Sequence, residues 1–216
     1  MKAIFLAVFC FASCKAFAQE SRFSTQVEYT LNFASTTESV PASASSLYLP
    51  GQQFVLRSAY RFDNHISGTI GLGYMNTRSY YDIQVQGPDE LFRITSRLTH
   101  HYLMIPVGAK FNFGHFYLHP EFAAARNISN TSRDQFYLGN STQFEIIRKR
   151  SNDTHNWNQI HSWAFPVFLG IGQEIPLESV SLTLGIKGYY MLSKTGDRAV
   201  VSNHAFGFGV SAGVSF

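Results

Sequence analysis

The sequence predicts an all-β fold, an eight-stranded, antiparallel, up-and-down transmembrane β-barrel behind a removable leader. Three observations carry that prediction. Charged residues make up only 14% of the chain against 45% apolar, where an ordinary soluble domain carries roughly 25% charge. Apolar side chains recur at every second position through eight segments, the period of a two-faced strand. The connections between those segments alternate long and short. Twenty Phe and eleven Tyr suit a pleated surface. With a mean hydropathy of −0.06, no apolar run beyond the N-terminus approaches the roughly 20 residues of a spanning helix. A disordered chain, a coiled coil and a charge-rich nucleic-acid binder are excluded, so no nucleic-acid partner is expected.

Residues 1–18 read as a signal peptide and 19–216 as the barrel domain. Lys2 supplies the positive start, and Ala3 to Ala12 an apolar core too short to span. Ala16-Phe17-Ala18 is the small-x-small pattern that signal peptidase reads. The rival reading takes Phe11-Ala12-Ser13-Cys14 as a lipobox with Cys14 lipidated; either route leads to the cell envelope. Both cysteines, Cys10 and Cys14, lie in this leader, so no disulfide framework or thiolate metal site is expected. Losing Lys2 and Lys15 lowers Lys+Arg from 17 to 15 against 14 Asp+Glu, a net charge of +1.

The first mature segment sets Phe23, Val27, Tyr29, Leu31 and Phe33 against Gln26, Glu28, Thr30 and Asn32. In the second, Phe54, Leu56, Tyr60 and Phe62 oppose Arg57 and Arg61. In the third, Ile66, Ile70, Leu72 and Tyr74 oppose Ser67, Thr69, Gly71 and Gly73. The fourth runs from Leu103 to Phe113, with Pro106, Gly108, Lys110 and Asn112 on its other face. The fifth sets Phe116, Leu118, Phe122 and Ala124 against Tyr117, His119 and Glu121. In the sixth, Trp163, Phe165, Val167, Leu169 and Ile171 share a face that Phe168 leaves. The seventh carries Val180, Leu182, Leu184, Ile186 and Tyr190 opposite Ser181, Thr183, Gly185 and Lys187. The eighth alternates Phe206, Phe208, Val210, Ala212, Val214 and Phe216 with Gly and Ser. Each segment has the length of about 9–11 residues that a tilted strand needs to cross a bilayer.

Connections fall at 34–53, 63–65, 75–102, 114–115, 125–162, 172–179 and 191–205. A bacterial outer-membrane barrel predicts that alternation, with short periplasmic turns and long extracellular loops. An even number of strands also brings both termini to the periplasmic side. The Ser-rich stretch Ser35 to Ser46 reads as a solvated loop.

A soluble, ligand-enclosing barrel would share the period but point its apolar face inward. Gly and Ser crowd the polar face, as a narrow interior requires. Aromatics gather near segment ends, where interfacial girdles lie. No Lys, Arg, Asp or Glu occupies the apolar face of a core segment.

Leu103-Met104-Ile105-Pro106-Val107-Gly108-Ala109-Lys110-Phe111-Asn112-Phe113 resembles the Leu-x-Ile-Pro strand of the small outer-membrane β-barrel proteins of Bacteroidota, the PorT-like or porin-family group. The Ala-Phe-Ala-Gln junction and terminal Phe216 also fit that group. The resemblance implies an outer-membrane location and this fold, and no shared activity. Phe216, closing an alternating segment, resembles the signal read by the barrel-assembly machinery.

Candidate lumen residues are Glu28, Arg57, Arg61, Lys110, His119, Glu121 and Lys187. Buried charge is costly unless paired, so these should form an ion-pair and hydrogen-bond network filling the lumen. Glu28 should meet Arg57, and Lys110 should lie near His119 and Glu121. The other reading of the same residues is a narrow, slightly cationic path. A lipid A deacylase-like enzyme needs a Ser, a His and an acid. His161-Ser162 and His100-His101 lie near long-loop strand ends, but adjacent residues point to opposite faces, and His65 with Ser67 falls at the wrong end. No catalytic residue, cofactor or metal is assigned, since the histidines follow no compact ligand spacing. The basic run Arg148-Lys149-Arg150 could touch lipopolysaccharide phosphate. The expected role is non-catalytic, structural or surface-interacting, with partners in outer-membrane lipid and lipopolysaccharide. Any specificity should lie in the 125–162 connection, and the sequence names no extracellular ligand.

Overall fold

The computed structural model describes residues 22–37, 44–46, 49–86, 91–139, 144–154, 163–193 and 204–216. The leader, Cys10, Cys14, His155 and the His161-Ser162 pair lie outside these residues. Among the described residues eleven strands follow one another: β1 (Phe23–Thr37), β2 (Ala44–Ser46), β3 (Leu49–Arg61), β4 (Ile66–Gln86), β5 (Leu91–Phe113), β6 (Phe116–Gly139), β7 (Phe144–Thr154), β8 (Trp163–Ala164), β9 (Pro166–Pro176), β10 (Ser181–Met191) and β11 (His204–Ser215).

Eight strands close a barrel. Each pairs antiparallel with its chain neighbours, β8 and β9 forming one wall, and β1 pairs with β11 from Gln26↔Ser215 to Thr37↔His204. Phe216 donates its N–H to the Thr25 carbonyl at 2.8 Å and accepts from Thr25 at 3.1 Å, locking the seam. Closure removes the unpaired edges that no lipid could satisfy.

The chain is apolar on the outside. Leu72 is 67% exposed and Val210 64%, while Arg57 and Thr30 are 1% exposed. The apolar face of every predicted segment lies outward, and Phe62, Phe113 and Phe116 ring the short-turn end.

The turns are tight for identifiable reasons. Asp63 accepts the His65 and Ile66 amides at 2.6 and 2.8 Å, the Asx arrangement that closes a chain reversal. Gly114 has a φ of +66°, a left-handed conformation that a side chain would oppose.

The long connections differ from the expected loops. Strand β4 continues to Gln86 and β5 begins at Leu91, so most of 75–102 is a hairpin. β6 continues to Gly139 and pairs with β7, converting much of 125–162 into sheet. Thr36, Thr37 and Ala44–Ser46 of the Ser-rich stretch are likewise in strands. Above the bilayer neither face must be apolar, so alternation lapses while the backbone ladder continues.

The lumen is layered. Its short-turn half is polar, as expected. Its long-hairpin half sets an apolar cluster of Val55, Met75, Tyr102, Met104, Phe168, Tyr189 and Met191, with Ala123 and Ala125, among the buried polar Asn32, Gln53, Thr77, His100, Asn130 and Ser132. A barrel of this size leaves an interior that side chains can fill.

Candidate functional site

The buried charge sits between the apolar cluster and the short-turn mouth. Glu28 on β1, Arg57 on β3, Glu121 on β6 and Lys187 on β10 all point inward by strand alternation and meet near the axis. Arg57 grips Glu121 with two hydrogen bonds, Nε to Oε1 at 2.7 Å and Nη2 to Oε2 at 2.9 Å. The same Nη2 reaches Glu28 Oε1 at 3.2 Å. Lys187 Nζ bridges both acids, at 3.0 Å from Glu28 Oε1 and 2.6 Å from Glu121 Oε2. Two cations thus neutralise two anions, and the fork geometry of Arg57 suits a carboxylate.

His119 flanks the cluster, its Nε2 3.0 Å from Thr69 Oγ1 and 3.7 Å from Glu121 Oε1. Lys187 also lies over the Phe168 ring, 4.9 Å from its centroid. Arg57 Nη1 is buried without a hydrogen-bond partner among the described residues, as are the Asn32 side-chain amide and Gln53 Nε2.

Two expected members sit elsewhere. Lys110 turns toward the mouth, where it pairs with Glu174 and lies over the Tyr117 ring instead of joining Glu121. Arg61 is exposed and lines the mouth, because its level on β3 lies below the Tyr60 girdle, where water solvates it. Glu174 was not among the expected residues. Its signal was the continuing parity Gly170, Gly172, Glu174 beyond the segment end assigned from apolar residues alone.

A cavity of about 290 Å³ opens at that mouth, lined by Gln26, Arg61, Ser67, Lys110, Asn112 and Glu174 among others. Tyr117, under the Lys110 ammonium, is seated against Gly172 and Gly185. A Cβ at those positions would lie 2.8 and 2.6 Å from the Tyr117 hydroxyl.

The pairs from expected catalytic candidates are absorbed differently. His100 Nδ1 bonds Asn130 Oδ1 at 2.8 Å, and His101 Nδ1 bonds the Tyr74 hydroxyl at 2.5 Å. His65 faces the Asn112 carbonyl at 3.2 Å on the short-turn end. Among the described residues, no group of three or more His, Cys, Asp or Glu could hold a metal ion.

A lipid-facing apolar belt, a closed antiparallel ring and a charge-balanced core define a membrane β-barrel. The chain belongs to the outer membrane protein beta-barrel domain family, whose model matches residues 3–216. It is an integral outer-membrane protein. Similar solved structures include Ail, the attachment invasion locus protein of Yersinia pestis, at 12% identity and a TM-score of 0.42, covering 89% of this chain and 98% of that one. Neisserial surface protein A is similar at 15% identity and 0.37, covering 90% and 96%. The outer membrane protease OmpT of Escherichia coli is similar at 8% identity and 0.42, covering 92% and 97%. No curated protein matches the sequence significantly. The family match does not reach the narrower Bacteroidota group.

Proposed function

We propose that this chain is a non-catalytic, non-conducting surface barrel, a membrane anchor that acts by contact through the sheet formed by β4 to β7. The observation that carries the reading is the two-layer closure of the lumen. The Arg57–Glu121–Lys187–Glu28 lattice ties opposite walls together, and Met75, Met104, Phe168, Tyr189 and Met191 fill the space beside it. In this reading the long hairpins face outside and the 63–65 and 114–115 turns face the periplasm, as barrel architecture favours.

Planar-bilayer recording of the purified chain should show negligible conductance. Steady, anion-selective current abolished by Arg57→Gln without loss of stability would overturn the closed lumen. For orientation, a cysteine at Ile146, 49% exposed in the 125–162 connection, should react with an impermeant thiol reagent on intact cells, while one at Asn64 should stay silent. Deleting the gene should leave lipid A acylation unchanged; an altered pattern would reinstate a lipid-modifying enzyme.

A further inference from the structure

The outer face of the β4–β5–β6 wall changes character abruptly above the apolar belt. Leu103 on β5 is 53% exposed and faces lipid. Period 2 carries that face upward through His101 and Thr99 to Arg97. Pairing places Tyr80 and Arg133 on either side of Arg97, Arg78 opposite Thr99, and Arg126 opposite Leu103. A bulge between the pairings of His101 and Tyr102 corrects the parity of β6, so Arg126 and Arg133 share the face.

All four arginines are exposed. None forms an ion pair with an acid among the described residues. The acid Asp82 on this face is occupied by Arg93 at 2.9 and 2.5 Å. Among the described residues, these four positive charges on one wall have no ion-pair partner. Arg97 and Arg133 are directly opposed across the strand pair, an arrangement that is destabilising by itself. Arg78 is the diagonal neighbour of Arg97, and Tyr80 packs beneath it at 5.9 Å.

We infer that this stripe is a docking surface for a lipid whose headgroup carries phosphate, held with its acyl chains along Leu72, Leu103 and Ile105. Guanidinium groups bind phosphate bidentately. Register sets Arg97 directly opposite Arg133 and diagonal to Arg78, so the three share one patch of the outer wall. Arg126 lies four β5 positions below the level of Arg78 and six below that of Arg97 and Arg133, roughly 13 and 20 Å by strand rise, level with the aromatic Trp163 opposite it. Charge above and hydrocarbon below on one continuous strand match an amphiphile rather than a free anion. The inference holds whether or not the lumen conducts, and purified protein tests it independently of orientation in the cell.

The experiment is native mass spectrometry and thermal unfolding of the full chain in neutral detergent, titrated with bis-phosphorylated lipid A. Dephosphorylated lipid A, phosphatidylcholine and inorganic phosphate are the comparison arms. Lipid A should bind and raise the unfolding temperature, and the other three should not. Combined Arg78→Gln, Arg97→Gln and Arg133→Gln should weaken binding about tenfold or more, while the three Lys replacements should retain most of it. Equal binding of dephosphorylated lipid A, or wild-type affinity in the Gln variant, would overturn the inference. Stabilisation by inorganic phosphate matching that by lipid A would overturn the lipid assignment. Should the Gln variant fail to fold, the headgroup comparison on the wild-type chain still decides.

Discussion

Glu121 carries more of the lumen network than Glu28 does, because both carboxylate oxygens are engaged by Arg57 and one also meets Lys187. Removing one partner of a buried pair strands the other charge and costs roughly 3–5 kcal/mol. Glu121→Gln should fall in that range, whereas Glu28→Gln should cost less because Arg57 keeps its two bonds to Glu121. Urea unfolding in lipid vesicles measures the order; a larger loss at Glu28 would show that the Lys187 contact dominates. The glycines under Tyr117 give a second residue-scale test. Gly172→Ala and Gly185→Ala drive a methyl onto the Leu184 and Ile171 backbone carbonyls respectively, as well as into the Tyr117 hydroxyl's space, so each should be destabilising, and Tyr117→Phe should leave most of the loss in place because the backbone clash persists. The charge network was legible because acidic and basic residues on a Gly- and Ser-rich face have nowhere to go but inward. Its partners were less so: sequence parity says which side of a wall Lys110 occupies, and only side-chain reach sends it to Glu174.

At the scale of the element, the turns and the strand ends tell different stories. The two amides on Asp63 hold its carboxyl below the ordinary carboxylate range. A depressed folded value means the Asx turn's contribution is complete above the unfolded pKa of about 3.9. It is lost as pH falls through the lower folded value. The protection of the Ile66 amide, its exchange rate relative to the intrinsic rate at each pH, should therefore fall on acidification, and Asp63→Asn, which keeps an acceptor oxygen without the charge, should flatten that dependence. At the next turn, Gly114→Ala should cost about 1–2 kcal/mol from the left-handed backbone. Circular dichroism melts resolve that; an unchanged transition would mean the turn relaxes to another form. The spanning parts of the strands were legible because bilayer and lumen impose opposite demands on alternate residues. Their extensions were not. From Asn76 to Gln86 both faces of β4 lie beyond the apolar belt, and hydrogen bonding between β4 and β5 continues without any hydrophobic signal.

The whole molecule inverts the arrangement of a soluble domain, yet the long-hairpin half of its interior adds an apolar cluster to the expected polar side chains. Met75, Met104 and Met191 stand on inward positions, and so do Tyr102 and Tyr189. These residues break no period: they replace polar side chains with apolar ones on the same face, which makes two faces of a strand look alike. Such a cluster rests on close packing, while the opposite end rests on charge pairing, so substitutions should sort by depth as well as by face. On the lipid side, Val210 and its cross-strand partner Ile186 are exposed to hydrocarbon. Val210→Arg places a guanidinium where water cannot reach it and should cost roughly 2–4 kcal/mol. One residue along, Ser211 faces the lumen at 3% exposure. Ser211→Thr adds only a methyl beside the polar layer and should cost well under that. Reversible unfolding in vesicles compares the two variants at the same depth with opposite direction. A barrel whose outer face met water would tolerate Arg at position 210 without loss, and that result would undo the inside-out reading of this chain.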